Sequence, residues 1–130
     1  MNLTQMHERC PSSILLGVGE LIGYKFIIGP RGYASIVQER NKTVYGAVWE
    51  LTEIDVTTLD SYEGMAQHLY RKEVMTINHE NRPMQCLVYI ENSVGHLTSS
   101  EAYKDRILSG ASSIELPLTY QQEIEHELTR

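Results

Sequence analysis

A chain of 130 residues, 42% hydrophobic and 22% charged, is the size of one domain around one core (residues 1–130). Its formal charge of −6, from 17 acids against 11 bases, argues against a nucleic-acid footprint or adhesion to an anionic membrane, both of which need a basic face. No apolar run approaches the roughly 18–20 residues of a membrane span, and no signal-peptide pattern opens the chain, so the expected location is the cytoplasm.

Residues 2–10, "NLTQMHERC", read as one or two helical turns closed by Pro11. "SSILLGVGELIGYKFIIG" (Ser12–Gly29) is apolar and β-branched with spaced glycines. It suits one long bent strand or two strands meeting at a bulge. "GPRG" (Gly29–Gly32) is a turn. "YASIVQ" (Tyr33–Gln38) and "TVYGAVWEL" (Thr43–Leu51) are expected to pair as a hairpin around Glu39–Lys42. A short helix, Glu53–Glu63, follows, entered through Thr52 with Asp55 three residues on, a capping-box start. "HLYRKEVMTINHE" (His68–Glu80) and "PMQCLVYIE" (Pro83–Glu91) form a second hairpin. The last third is helical, with serine caps at Ser99 and Ser100, a core stripe at Ala102, Tyr103 and Ile107, and a final helix beginning near Pro117. The fold class is α+β, with a small, mixed or antiparallel barrel of strands and flanking helices.

The helix ending "LDSYEG" carries the sharpest signal. Val56, Leu59 and Glu63 fall at i, i+3 and i+7, on one stripe, so Glu63 should face the core rather than solvent. Burial, the helix C-terminus and Asp60 one turn back all favour its protonated form, which is what a general acid or base near neutral pH needs. The competing reading is an acid that reaches the edge or pairs with Arg71 or Lys72. Gly64 reads as a left-handed helix cap.

Other motifs point away from cofactors. "GVGELIG" (Gly17–Gly23) has GxGxxxG spacing and no helix behind it, so a bulge is expected rather than a nucleotide loop. The five histidines show neither HxH nor HxxxH spacing, and no metal or cofactor is expected. Cys10 and Cys86 read as free thiols without an activating signature.

In the order and spacing of "ERCPSS", "GYASIV", "VYGAVWELTEIDVTTLDSYEG", Tyr70 seven residues after Glu63, and "YKDRILSGASSIELPLTY", the sequence resembles the gamma-glutamylcyclotransferase-like family. The match runs over nearly the whole chain. The resemblance implies a small single-domain barrel that cleaves gamma-glutamyl amides without water. The substrate's α-amine attacks its γ-carbonyl, 5-oxoproline forms and an amine leaves. It further implies that Glu63, directly before the glycine, is the general acid/base, and that Tyr103 and Tyr70 contact substrate. The family opens with a strand ending in a Tyr-Gly-Ser-Asn loop, and Met1 aligns just after that asparagine. A chain lacking that strand is expected to dimerise, exchange strands or aggregate through the exposed edge. The alternative to a cyclotransferase is then an impaired member acting as a binding or oligomerising module.

Overall fold

The computed structural model describes residues 3–29, 33–62, 70–91 and 101–129. Helix α1 (Leu3–Arg9) leads into strand β1 (Ile14–Ile28), then β2 (Ala34–Glu50), helix α2 (Glu53–Tyr62), strands β3 (Tyr70–His79) and β4 (Arg82–Glu91), and helices α3 (Glu101–Ser113) and α4 (Leu118–Leu128). The strands form one antiparallel sheet in the order β2-β1-β3-β4. The α+β class expected from the sequence is therefore observed.

The segment Ser12–Gly29 resolves as one long strand with two irregularities, between Leu15 and Gly17 and between Ile22 and Tyr24. Gly17 (φ 137°) and Gly23 (φ 86°) sit at these breaks, where a side chain would be strained. The glycine-rich stretch is thus a bulged strand, not a phosphate loop.

The hairpin expected within Tyr33–Leu51 is a correction. Residues 34–50 are a single strand, and both of its halves pair with β1 rather than with each other: Ile22 faces Thr43, and Tyr24 faces Gln38. Glu39–Lys42 bulge out opposite Gly23, with Asn41 at φ 69°, and all four side chains are exposed. The polar tetrapeptide satisfies turn chemistry, but β1 is long enough to pair with both halves and draws them into line. The second expected hairpin is present, with Glu80 (φ 51°) and Asn81 (φ 63°) making the tight turn between β3 and β4.

The sheet curls. At one end its two outer strands meet, where the Glu91 N–H donates to Ser35 Oγ (3.1 Å). Glu91 itself packs on Gly29, where a β-carbon would collide with its carboxylate. Among the described residues no backbone ladder joins β2 to β4.

Three apolar clusters hold the layers. Ala111 of α3, Ile114 and Leu116 of the link after it, and Tyr120, Ile124 and Leu128 of α4 pack around Ile28 of β1. The Lys25–Glu127 pair (2.9 Å) ties α4 to the sheet. Inside the curl, Leu21, Val48 and Ile77 meet from β1, β2 and β3. At the α1/α2 end, Met6, Cys10 and Leu59 pack beneath Trp49, Leu51 and Tyr89. The last cluster seats α2, and with it the chain leading to residue 63.

Candidate active site

Helix α2 is built as the sequence reading requires. The Asp55 N–H donates to Thr52 Oγ1 (3.2 Å), and the Thr52 N–H donates to Asp55 Oδ2 (3.2 Å), a reciprocal capping box. Cys10 reaches the carbonyl of Asp55 through its thiol (3.6 Å), which joins α1 to the first turn of α2. Leu59 is buried and Val56 half-buried, so the inner stripe of the helix is where the periodicity put it. Glu63 and Gly64, the next members of the pattern, lie outside the described residues.

Asp60 does not stand behind that stripe as an uncompensated charge. Tyr89 of β4 donates to its Oδ1 at 2.6 Å, and Lys72 of β3 donates to its Oδ2 at 2.9 Å. Tyr89's hydrogen bond holds the Asp60 carboxyl below its ordinary range, against partial burial, with Lys72 assisting. The negative charge that Asp60 brings to this helix end is thus paired. Lys72, one of the two cations considered as a partner for Glu63, is committed to Asp60.

Tyr70 and Tyr103, from different elements, converge on one residue, Ala34. The Ala34 N–H donates to the Tyr103 hydroxyl (2.8 Å), and the Tyr70 hydroxyl donates to the Ala34 carbonyl (3.4 Å). Tyr33 packs edge-on against Tyr103, with ring centroids 5.2 Å apart and planes at 86°. The first residues of β2 are thereby clamped between β3 and α3.

Both tyrosines line a cavity of about 1240 Å³ that runs along the inside of the curl. Its walls include Tyr33, Leu59, Tyr62 and Tyr89, with Arg9 and Arg106 at polar positions. Consecutive residues of β2 (Gly46–Glu50) and of β4 (Met84–Tyr89) line it, together with Gly19 and Leu21 of β1 and Ile77 of β3. A strand shows every residue to a space only where its edge, and not its face, borders that space. The cavity is therefore bordered by the edges of β2 and β4 and floored by the inner face of the curl. Burial raises the thiol pKa of both Cys10 and Cys86, which keeps them protonated and poor nucleophiles. No cluster of three or more metal-ligating side chains occurs among the described residues.

A model of the AIG2-like family matches residues 43–124, more than half of the chain, from the second half of β2 through α2, β3, β4 and α3 into α4. The chain belongs to the AIG2-like family. Human gamma-glutamylcyclotransferase is 28% identical over 131 residues, covering 92% of this chain and 70% of the relative. The mouse protein of the same name is 27% identical over the same shares. The solved structure of a gamma-glutamyl cyclotransferase superposes with a TM-score of 0.88 at 25% identity, over 94% of this chain and 79% of the other. YkqA from Bacillus subtilis shares the fold, with a TM-score of 0.85 at 15% identity, over 97% of this chain and 48% of the other. This AIG2-like chain is accordingly a gamma-glutamylcyclotransferase-like protein, as the motif order indicated.

Among the residues singled out from the sequence, Tyr70 and Tyr103 are brought together at Ala34. Three neighbours were missed: Tyr33, Ala34 and Tyr89. For Tyr89 a signal existed, since it alternates on β4 with Leu87 and could be placed opposite Lys72 once the hairpin register was known. The role of Ala34 is carried by its backbone, which no residue type reveals.

Proposed function

We propose that the protein cleaves a gamma-glutamyl amide to 5-oxoproline and a free amine, with Glu63 as general acid/base and Tyr70 and Tyr103 as substrate-binding residues. The observation that carries this reading is the meeting of Tyr70 and Tyr103 at Ala34 on the wall of a cavity large enough for a small peptide. The family's named relatives, gamma-glutamylcyclotransferases, support it.

The chemistry asks little of the protein beyond position and proton traffic. Glu63 takes a proton from the substrate's α-ammonium, and the freed amine attacks the γ-carbonyl carbon. The new C–N bond closes a five-membered ring, and the old one to the leaving nitrogen breaks as the adduct collapses. Two protons leave the attacking nitrogen and two reach the departing one, by way of Glu63. The amine departs as an ammonium, Glu63 ends as it began, and no water is consumed. Attack within one molecule is already entropically favoured, so orientation by the cavity is the main contribution. The hydrogen bond from the Ala34 N–H holds the Tyr103 hydroxyl at the cavity wall, where the proposed substrate contact is made.

No helix among the described residues is long and apolar enough to cross a membrane. A small-molecule substrate of this class is expected to be met in the cytoplasm.

The test is release of 5-oxoproline from a panel of gamma-glutamyl amino acids and amines by the purified chain. Turnover that is lost on Glu63→Gln supports the assignment.

A second reading, a binding or oligomerising module, is favoured by one observation: the edges of β2 and β4 face the same apolar cavity without a strand between them among the described residues. Such edges invite pairing with a second copy. A dimer by sedimentation, together with no 5-oxoproline from any substrate, would select this reading. An active monomer would eliminate it.

A further inference from the structure

The last turn of α2 is held by three tethers, two toward α1 and one to the sheet. Leu59 is 3% exposed and locked into the cluster with Met6 and Cys10. Tyr62 lies under the guanidinium of Arg9 from α1, 4.1 Å from the ring centroid. Asp60 is gripped from the sheet by Tyr89 and Lys72, at 2.6 and 2.9 Å. The third tether is the unusual one. A carboxylate near a helix C-terminus is disfavoured by the helix dipole, yet here it is kept ionised by two donors from neighbouring strands. The arrangement spends both oxygens of Asp60 on fixing where the helix stops. Lys72 stands opposite Tyr89 across the β3/β4 ladder, so the two donors are themselves held in register.

We infer that Asp60, with Lys72 and Tyr89, is a positioning unit for the end of α2, and through it for the aim of the acid three residues later in sequence. The inference rests on the reading of Glu63 as the general acid/base. In this role Asp60 exchanges no proton with substrate: each of its carboxylate oxygens accepts a hydrogen bond from the sheet. Its effect is on geometry in the transition state, where small misplacements of a catalytic group cost rate rather than affinity. Leu59 and Arg9 set the depth and tilt of the helix end. Asp60 ties it by hydrogen bonds to the hairpin whose first residue is Tyr70.

The experiment is a double-mutant cycle on the whole protein with steady-state release of 5-oxoproline as the readout. Asp60→Asn keeps shape and an oxygen for Tyr89 but cannot accept from Lys72 on the other side. Lys72→Met removes the second donor at a side chain that is about a third exposed. Each single change is expected to lower kcat about tenfold with KM within about twofold, and the double variant to be no slower than the slower single. Kinetics within about twofold of the parent in both singles, a rise in KM with kcat unchanged, or losses that multiply in the double would each overturn the proposal. If Asp60→Asn does not fold, Lys72→Met decides by the same criterion of kcat against KM. Glu63→Gln run alongside separates the two levels. An inactive Glu63→Gln beside a fully active Asp60→Asn refutes only the positioning role. A fully active Glu63→Gln refutes the reading beneath it.

Discussion

Tyr103 illustrates how a single side chain can serve fold and site together. Its hydroxyl satisfies the N–H of Ala34, and its ring supports Tyr33. Tyr103→Phe leaves that part-buried N–H without its acceptor, at a cost of about 1–3 kcal/mol in stability. If the hydroxyl also binds substrate, kcat/KM falls by about tenfold or more in the same variant. Urea titration and steady-state kinetics on one preparation check both. Asp60 makes a different prediction at this scale. Its folded pKa lies below the unfolded value of 3.8, so its contribution to stability is complete above that pH and is lost as pH falls through the lower folded value. Asp60→Asn should therefore be less stable than the parent at pH 6, and the gap should narrow in strong acid. Thermal melts across that range measure it. Convergence at low pH is the expected outcome, and a constant gap would show that the carboxylate's charge is not what is lost.

At the level of elements, local chemistry and pairing disagree in one place and agree in another, and the contrast explains what could be read from sequence. The capping box of α2, the inner stripe through Leu59, and the β3/β4 hairpin are local patterns, and each was legible because the residues that make them are adjacent or one turn apart. The β2 strand was misread because Glu39–Lys42 has turn composition, while its true conformation is dictated by a partner, β1, that carries a matching break at Gly23. The clamp at Ala34 joins residues 36 and 69 positions apart, which no window reveals. The hairpin also offers a test. Glu80 and Asn81 both have positive φ, a conformation that Asn-Gly adopts with less strain. The double change Glu80→Asn with Asn81→Gly should stabilise the protein by about 0.5–1 kcal/mol without altering activity, since the turn lies at the far end of β3 and β4 from Tyr70. A loss of stability in chemical denaturation would contradict this account of the turn.

For the whole molecule, the curled sheet positions residues that the chain order keeps apart. α1 and α2 close one end through Met6, Cys10 and Leu59, the two C-terminal helices back β1, and the cavity runs between the edges of β2 and β4. Family membership was legible from motif order because those motifs mark contacts between elements: "GYASIV" carries the clamped Ala34, "LDSYEG" carries Asp60, and "YKDRIL" carries Tyr103. The central claim is that this framework presents Glu63 to a gamma-glutamyl substrate as its acid/base. The direct measurement is 5-oxoproline released per amine freed, for the parent and for Glu63→Gln, over a panel of gamma-glutamyl amino acids and amines. The account predicts one 5-oxoproline for each amine in the parent and a loss of about a hundredfold or more in kcat for the variant. Equal turnover by the two proteins would contradict it.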